Sequence, residues 1–208
     1  MICSVLIPSR GRPDRLVKAI DSLYKSVSDP DQIEIILKLD NDDLENVPFS
    51  FFKNLKYSKI IISDRRKGYD SLGDFYQEMS DVALGDWVWI YNDDVTIEFS
   101  ETGKRWDEQL KEFPLSGIIL HPECFRIYNQ VHFDYVGGPF PVVPTNCWKK
   151  FGHPIPSLEP IDHWMHYMLL DDGWITKFIK GISLHHNRDA VDVLAEYRKI
   201  NKEVSDAK

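Results

Sequence analysis

Cysteine is scarce in this sequence, and the lack of paired cysteines excludes a scaffold held together by disulfide bonds. The 208 residues contain only Cys3, Cys124 and Cys147, which lie far apart, and no Cys-x-x-Cys motif occurs. Because disulfide frameworks need closely placed, even-numbered cysteines, we expect free thiols in a reducing, cytoplasmic compartment. Residues 1–5 lead directly into a strand pattern, so we expect no signal peptide.

Long apolar runs and an excess of positive charge are missing as well. No apolar stretch approaches the roughly 18–20 residues that cross a bilayer, so we expect no transmembrane segment. The chain has 25 lysine and arginine residues against 33 aspartate and glutamate residues, a net charge of −8. Since nucleic-acid sites are basic, we expect no nucleic-acid partner.

Motifs of two common enzyme classes are also absent. Gly11 and its neighbours form neither G-x-G-x-x-G nor a P-loop, which argues against a dehydrogenase and against an NTPase. His163 and His166 share a predicted helix face but have no obvious third partner, and zinc sites use three or four protein ligands. The sequence therefore favours neither of these enzyme classes and no zinc site.

What the sequence does contain is an alternation of strand and helix patterns. Apolar runs predict strands at 3–7, 33–39, 59–63, 87–91 and 117–120, and helical spacing predicts helices from Pro13, over about 71–82 and over about 103–113. Strands that alternate with helices indicate an α/β fold whose mostly parallel central sheet is flanked by helices. Strands that are apolar throughout fit a sheet that is covered on both faces.

From about residue 121 the pattern changes to a small mixed C-terminal region. Residues 125–128 and 131–135 alternate on either side of Asn129-Gln130 and predict a hairpin. The other expected elements are helices near 145–151 and 161–171, a strand at 182–186 and a C-terminal helix from 189 to about 204. We expect all of them to belong to one domain of 208 residues.

Polar residues follow the first four predicted strands. They form the segments Ser9-Arg10-Gly11-Arg12, Asp40-Asn41-Asp42-Asp43, Asp64-Arg65-Arg66 and Asn92-Asp93-Asp94. In open α/β sheets the ligand binds beyond the carboxyl ends of the strands, so these segments are the candidate site. Arginine makes paired hydrogen bonds to phosphate, which makes Arg65 and Arg66 candidates for binding a diphosphate; a solvated loop is the alternative.

The triplet Asn92-Asp93-Asp94 carries the most chemistry. Two neighbouring carboxylates after a buried strand repel each other unless a cation is present, and hard oxygen ligands suit Mg²⁺ or Mn²⁺. Such an ion would neutralise the charge on a departing nucleotide diphosphate. The alternative is a turn in which Asn and Asp hydrogen-bond to their own backbone.

These segments give the chain a resemblance to the GT-A glycosyltransferases, which have a Rossmann-like sheet, and especially to those of family 2. The matching segments are Ser4-Val5-Leu6-Ile7-Pro8-Ser9-Arg10, Ile36-Leu37-Lys38-Leu39-Asp40-Asn41-Asp42, Lys67-Gly68 and Gly85-Asp86-Trp87-Val88-Trp89-Ile90-Tyr91-Asn92-Asp93-Asp94. The resemblance implies a glycosyltransferase of the hexosyltransferase type that depends on Mn²⁺ or Mg²⁺. It would move a sugar, with inversion, from a nucleoside-diphosphate sugar, with UDP favoured, to a hydroxyl of a glycan or glycoconjugate acceptor.

The resemblance also implies roles for individual residues. Contacts with the nucleotide-sugar are implied for Pro8, Ser9, Arg10, Arg12, Asp40, Asp42, Arg65, Arg66, Gly68, Asn92 and Asp93. Metal ligation is implied for Asp94, Asp93, His185 and His186. Because the first acid of the Asp-x-Asp signature is Asn92 here, Asp94 becomes the principal ligand. Residues 1 to about 120 would bind the nucleotide-sugar, and residues from about 121 to 208, including the C-terminal helix, would bind the acceptor.

Asp162 is the candidate general base, because inverting members of the family place an acid near such a helix start. It would remove the proton from the acceptor hydroxyl while the anomeric carbon is attacked from the opposite face. The alternative role is a helix N-cap, for which Asp is well suited. Glu159 is the reserve candidate for the base.

Two other functions stay open from the sequence. A sugar-1-phosphate nucleotidyltransferase would also need a doubly wound sheet and acidic metal ligands. A non-catalytic module that binds a nucleotide or a glycan would fit the amide of Asn92 at the first motif position. Formation of pyrophosphate from an NTP and a sugar-1-phosphate would identify the first, and turnover of a nucleotide-sugar would argue against the second.

Overall fold

The structure, a computed structural model, describes residues 1–47, 49–64, 71–100, 103–127, 140–147 and 168–186, with the backbone alone for residues 46 and 123–127. These residues form an eight-stranded sheet with helices against both of its faces. Within these ranges, no helix is both long enough and apolar enough to cross a membrane.

The strands of the sheet are mostly parallel. In chain order they are β1 (Cys3–Pro8), β2 (Ile33–Asp40), β3 (Ser58–Ser63), β4 (Trp87–Ile90), β5 (Val95–Phe99), β6 (Ile118–Ile127), β7 (Val142–Pro144) and β8 (Ile175–His186). Their spatial order is β3-β2-β1-β4-β7-β6-β8-β5. The strands β3, β2, β1 and β4 run parallel, β7 is antiparallel to both β4 and β6, β8 is parallel to β6, and β5 is antiparallel to β8. The predicted α/β architecture with a mostly parallel sheet is confirmed.

The helices explain why the central strands are apolar on both sides. They are α1 (Pro13–Lys25), α2 (Phe49–Phe52), α3 (Leu72–Asp81) and α4 (Trp106–Leu110), with 3₁₀ turns at Pro30–Gln32 and Asn41–Asn46. The helix α1 buries the four residues that its spacing predicted, Leu16, Ala19, Ile20 and Leu23. It packs with α4 on one face, where Trp89 and Trp106 meet edge to face at 4.9 Å, while α3 covers the other face. Apolar side chains on both faces of a strand are therefore buried.

The far half of the sheet differs from the sequence-based expectation. The strand β5 begins directly after Asn92-Asp93-Asp94, and it was not predicted from the sequence. The strand β6 continues to residue 127, so the first arm of the predicted hairpin is the end of β6, and β8 begins at residue 175 rather than 182. Residues 145–147 and 168–171 are helical, as predicted. The second hairpin arm, the rest of those two helices and the predicted C-terminal helix lie outside the described residues.

The pairing of β6 with β8 contains an irregular step. Pro122 lies opposite Ile179 but Cys124 lies opposite Ser183, so β8 has two more residues than β6 in this stretch. Gly181 lies within the step at φ 71°, a conformation that side chains other than glycine rarely adopt. Before the step Ile179 is buried, whereas after it the buried residues are Ile182, Leu184 and His186. The step therefore changes which alternate residues of β8 face inward.

A buried carboxylate lies at the amino ends of β1, β2 and β4. Glu34 is 2% exposed, and its Oε2 accepts hydrogen bonds from Ser4 Oγ at 2.6 Å and from the backbone N–H of Leu84 at 3.0 Å. Lys59 Nζ lies 2.6 Å from Oε1 of the same carboxylate. The neighbouring Gly85 has no room for a side chain, because a Cβ there would lie 2.5 Å from the backbone nitrogen of Ser4.

Candidate active site

The carboxyl ends of the parallel strands bring the predicted polar segments together at one edge of the sheet. Pro8 ends β1, and the chain stays beside β2 for one more residue, because the N–H of Ser9 donates to the carbonyl of Lys38 at 3.0 Å. After β2, Asn41 Nδ2 donates to Asp64 Oδ1 at 2.6 Å, which links the ends of the second and third strands. This is the edge at which open α/β sheets bind their ligands.

Arg10 joins the loop after β1 to the loop after β2. Its Nη1 donates to Asp40 Oδ2 at 2.8 Å, and its two terminal nitrogens donate to the carboxylate of Asp42 at 2.5 and 3.0 Å. The hydrogen bond with Asp42, followed by the one with Asp40, raises the pKa of Arg10 above its ordinary value, so the guanidinium stays charged. Two acids implied in nucleotide binding are therefore held by one arginine.

The turn after Arg10 is fixed by an acid that the sequence reasoning did not single out. Gly11 lies at φ 66°, in the left-handed region, and its backbone N–H donates to Asp43 Oδ2 at 2.5 Å. Glycine adopts this conformation without the steric cost that other residues incur. The turn directs the chain into α1, and Arg12 is the residue immediately before that helix.

Asp93 and Asp94 form a buried acid pair after β4. Asp93 is 0% exposed and Asp94 is 7% exposed. Ser9 Oγ donates to Asp93 Oδ2 at 2.7 Å, and Arg12 places Nη2 2.7 Å from Asp93 Oδ1 and Nη1 3.2 Å from Asp94 Oδ2. His186 Nε2 lies 3.1 Å from Asp94 Oδ1. Each of the four carboxylate oxygens therefore lies within 3.2 Å of a polar side-chain atom, although the contacts of Asp93 Oδ1 and Asp94 Oδ1 are ion-pair distances and not aligned hydrogen bonds.

The electrostatics of the acid pair favour a cation. Burial raises the pKa of Asp93 from 3.8 to about 6, against the opposing effects of Arg12 and the hydrogen bond from Ser9, and the nearby charge of Asp94 raises it further. The same negative charge is a minor contributor to the raised pKa of Tyr91, which is due mainly to burial. Two carboxylates held away from water gain strongly from any positive charge between them.

Asn92 is held from the other face of the sheet by Tyr76. The hydroxyl of Tyr76, on α3, lies 2.9 Å from Asn92 Oδ1 and 3.0 Å from the carbonyl oxygen of Tyr91. Tyr76 is buried, and the sequence offered one signal for it, a large aromatic residue on the predicted helix 71–82. The amide of Asn92 thus anchors the start of the motif to α3.

The two adjacent histidines of β8 have different neighbours. His186 is 3% exposed, faces Asp94 and packs against the ring of Phe140 at 5.3 Å, edge to face. His185 points the other way, with Nε2 2.8 Å from Oε2 of the exposed Glu98. Successive side chains of a strand point to opposite faces, so one of the pair reaches the acid pair. This geometry favours His186 as the partner of Asp94.

Phe140 is a further site residue that sequence reasoning missed. It has a positive φ of 64°, and its carbonyl oxygen accepts a hydrogen bond from Trp89 Nε1 at 3.0 Å. A non-glycine residue in this conformation is uncommon, and it persists where neighbouring contacts fix it. The ring of Phe140 then covers His186 next to the acid pair.

The donor set of the acid pair suits a divalent cation that is shared with a phosphate ligand. In the parts of the chain that the structure describes, no three His, Cys, Asp or Glu side chains are arranged to hold a metal by themselves. Mg²⁺ and Mn²⁺ sites of nucleotide enzymes commonly use one or two carboxylates, and phosphates and water complete the shell. Asp93 and Asp94 fit that requirement, and His186 adds an imidazole at the edge of the pair.

Some of the predicted site residues lie outside the described residues. They are Arg65, Arg66, Gly68, Glu159 and Asp162. Their implied roles in nucleotide binding and base catalysis stay predictions.

Comparison with known proteins decides the fold. No family model and no curated protein matches the chain. Among solved structures, residues 1–349 of S. aureus TarS align with 90% of this chain and 59% of that chain, at a TM-score of 0.60 and 14% identity. A second structure of S. aureus TarS aligns with 96% of this chain and 39% of that chain, at a TM-score of 0.66 and 13% identity. S. aureus TarS 1–349 in complex with UDP aligns with 89% of this chain and 60% of that chain, at a TM-score of 0.64 and 13% identity.

The chain has the GT-A fold. The resemblance inferred from the sequence motifs is thus confirmed for the fold. At identities of 13–14%, the similarity to these structures supports the fold and nothing beyond it. The chain spans 59% of the length of TarS 1–349 and 39% of the longer TarS structure. In this GT-A sheet the acid pair follows β4, the strand that the resemblance assigned to the Asp-x-Asp signature.

Proposed function

We propose that this chain is a glycosyltransferase that transfers a sugar from a nucleoside-diphosphate sugar to a hydroxyl of a glycan or glycoconjugate acceptor. The observation that carries the proposal is the buried acid pair Asp93 and Asp94 at the ligand-binding edge of a GT-A sheet. The guanidinium of Arg12 contacts both carboxylates of this pair. A neighbouring fold that is solved with UDP supports a uridine nucleotide as the donor.

The loops after β1 and β2 supply the proposed nucleotide contacts. Asp40 is buried and held by Arg10, so its carboxylate is oriented to accept a hydrogen bond from the base, as the N3–H of uracil would provide. Arg12 presents a planar fork that matches a phosphate as well as it matches the two carboxylates. We propose further contacts from Arg65, Arg66 and Gly68 in the third loop.

The proposed metal ion is Mn²⁺ or Mg²⁺, held by Asp94 and Asp93, with His186 favoured over His185 as an additional ligand. When bound, it would supply positive charge to the departing nucleoside diphosphate. The protein's own contribution is to fix the carboxylates: Ser9 orients Asp93 through a hydrogen bond, and Arg12 and His186 lie beside Asp94. Since β8 carries His186, the later part of the chain also contributes to the donor site.

For the acceptor side we propose inversion at the anomeric carbon with Asp162 as general base and Glu159 in reserve. The base would take the proton of the acceptor hydroxyl as that oxygen attacks. Residues 1 to about 120 would hold most of the donor, with His186 added from β8, and residues from about 121 to 208 would hold the acceptor, in one domain.

We also propose a reducing, cytoplasmic location. Cys3 and Cys147 are buried free thiols, which fits a compartment in which disulfides do not form.

The proposal is tested by nucleotide-sugar binding and turnover. A thermal-shift panel of nucleotide-sugars, with and without Mn²⁺, should identify a donor, because a ligand at one hundred times its Kd stabilises the folded state by about 2.7 kcal/mol. With that donor, Asp94→Asn should lower Mn²⁺-dependent turnover by at least about 100-fold, in the range seen when one charge-stabilising group is lost.

Asp86→Asn is the matched control for this experiment. It makes the same chemical change on an exposed residue at the amino end of β4, away from the acid pair, and should leave turnover unchanged. Wild-type turnover in Asp94→Asn would show that the acid pair is not the donor site. Formation of pyrophosphate from an NTP and a sugar-1-phosphate, without transfer from any nucleotide-sugar, would instead identify a nucleotidyltransferase.

A further inference from the structure

The four oxygens of the acid pair are bound by partners that differ in how firmly they are held. Ser9 is fixed to β2 through a backbone hydrogen bond. His186 is the last residue of β8, is 3% exposed and packs against the ring of Phe140. Arg12 is different, because its side chain is 39% exposed and reaches the pair from the loop in front of α1. Of these three partners, Arg12 is the one that can leave without disturbing a strand.

Arg12 also covers the oxygens that a metal would need. Its guanidinium contacts Oδ1 of Asp93 and Oδ2 of Asp94 at 2.7 and 3.2 Å, so it bridges the two carboxylates. A divalent cation shared by the two acids would need an oxygen from each of them, and Arg12 already contacts one oxygen of each. The guanidinium and a metal ion would therefore compete for the acid pair.

We propose that Arg12 is the resident counter-cation of the donor-free site and that a divalent cation binds the acid pair by displacing it. The proposal rests on the proposed function, since it concerns the same acid pair. The displaced guanidinium then receives the diphosphate of the donor, to which arginine makes paired, charge-assisted hydrogen bonds. The metal thereby takes the acid pair from Arg12, and the nucleotide takes Arg12 from the acid pair.

Two consequences follow from this exchange. Without nucleotide, the metal binds weakly because it must break the contacts of Arg12 with both carboxylates. With a nucleoside diphosphate present, Arg12 has a new partner, so the nucleotide and the metal strengthen each other's binding by the same factor. Removing the guanidinium should strengthen metal binding in the absence of nucleotide and weaken the coupling between metal and nucleotide.

The test measures Mn²⁺ binding to the full chain directly, without reference to activity. Metal-stripped protein is titrated with Mn²⁺, and free Mn²⁺ is followed by electron paramagnetic resonance, first alone and then with UDP. Arg12→Gln should bind Mn²⁺ about 10-fold more tightly than the wild type in the absence of UDP, equivalent to about 1.4 kcal/mol. Added UDP should tighten Mn²⁺ binding at least about 10-fold in the wild type and less in Arg12→Gln, within the usual range of coupling between sites.

Lys18→Gln is the control for the loss of one positive charge. Lys18 lies exposed on α1, so its replacement changes the net charge by the same amount without touching the acid pair. It should change Mn²⁺ affinity less than 2-fold, on the order of a screened surface effect. Arg12→Lys keeps the charge but cannot fork two carboxylates, and it should fall between the wild type and Arg12→Gln; it also serves if Arg12→Gln does not fold.

The proposal is overturned if Arg12→Gln binds Mn²⁺ no more tightly than Lys18→Gln does, or if Mn²⁺ binds neither the wild type nor the variants. The thermal-shift response of the wild type to nucleotide-sugars separates this failure from that of the proposed function. A chain that binds a nucleotide-sugar but shows no effect of Arg12 on Mn²⁺ binding contradicts the role of Arg12 alone. A chain that binds neither contradicts both.

Discussion

Two carboxylates are buried at opposite ends of the same strands, and their surroundings differ in kind. At the amino end, Glu34 receives hydrogen bonds from a serine on β1 and a backbone N–H, and an ion pair from a lysine on β3. At the carboxyl end, Asp93 receives a hydrogen bond from Ser9 and an ion pair from Arg12, both in the loop after β1, and has a second acid beside it.

The difference shows what separates a structural acid from a ligand-binding acid in this sheet. The lysine partner of Glu34, Lys59, has its backbone within β3, and its side chain is 34% exposed. The main partner of Asp93 is a loop arginine whose side chain is 39% exposed and able to move. Burial alone does not distinguish the two sites, whereas the source of the compensating charge does.

The largest expected effect is on the structural acid. Glu34→Ala should lower the free energy of unfolding by about 3–5 kcal/mol, because it leaves Lys59 and the donors of Ser4 and Leu84 without their common partner. Urea unfolding followed by circular dichroism would measure it. Asp31→Ala, which breaks an exposed ion pair with Lys56, is the control and should have a far smaller effect. Equal losses in the two variants would contradict a structural role for Glu34.

Isosteric amides should separate the two carboxylates by the sign of the effect. Glu34→Gln should lower the free energy of unfolding by about 2 kcal/mol, because an amide cannot accept at both of the positions that are now bound. Asp93→Asn should raise it by about 1–2 kcal/mol at pH 7.5, because burial penalises the charged form of this residue. The serine hydroxyl can rotate to accept from the new amide, and Arg12 keeps Asp94. Denaturant curves with EDTA would measure both, and changes of the same sign would remove the distinction.

The stabilisation by Asp93→Asn should depend on pH. Burial raises the pKa of Asp93 in the folded state to about 6, above its ordinary 3.8, so the folded protein holds more protons between these values. Stability from this group is therefore fully present below pH 3.8 and is lost as the pH rises through about 6. The gain from Asn should appear between pH 4 and 7 and vanish on acidification. A gain of constant size from pH 4.5 to 8, in unfolding curves without metal, would exclude Asp93 as its source.

The smallest expected effect concerns the serine at the candidate site. Ser9→Ala removes one hydrogen bond to Asp93 and should lower the free energy of unfolding by about 0.5–1 kcal/mol. Ser4→Ala should lower it more, by about 1–2 kcal/mol, because Ser4 both donates to Glu34 and accepts from the backbone of Gly85 inside the sheet. Thermal unfolding of the two variants side by side would rank them, and the reverse order would contradict the comparison.

Much of the central sheet could be predicted from the sequence, because parallel strands buried on both faces are written as continuous apolar runs. The same rule predicted that residues after β1, β2 and β4 would lie together, since parallel strands end at one edge. The four buried residues of α1 followed from helical spacing. The local sequence pattern is sufficient to predict the buried residues of an element when the spacing within that element alone decides which residues are buried.

Features that depend on distant pairing could not be predicted. The strand β5 follows the acid pair directly and is defined by its pairing with β8, a strand far along the chain. The contact of Arg12 with Asp93 and Asp94, the contact of Tyr76 with Asn92 and the position of Phe140 also join segments far apart in the chain. Nor could the sequence choose between His185 and His186.

That choice follows from the irregular step at Gly181. Ile179 lies in the same core cluster as Ile182 and Leu184, whereas in an uninterrupted strand the residues on the face of Ile179 would include 183 and 185, and His185 would then face Asp94. Across the step, where Gly181 has a positive φ, the buried positions pass from Ile179 to Ile182 and Leu184, and His186 takes the place beside Asp94. The identity of the histidine beside the acid pair is thus set by the backbone conformation around Gly181, five residues earlier in the chain, and not by any chemical difference between two identical side chains.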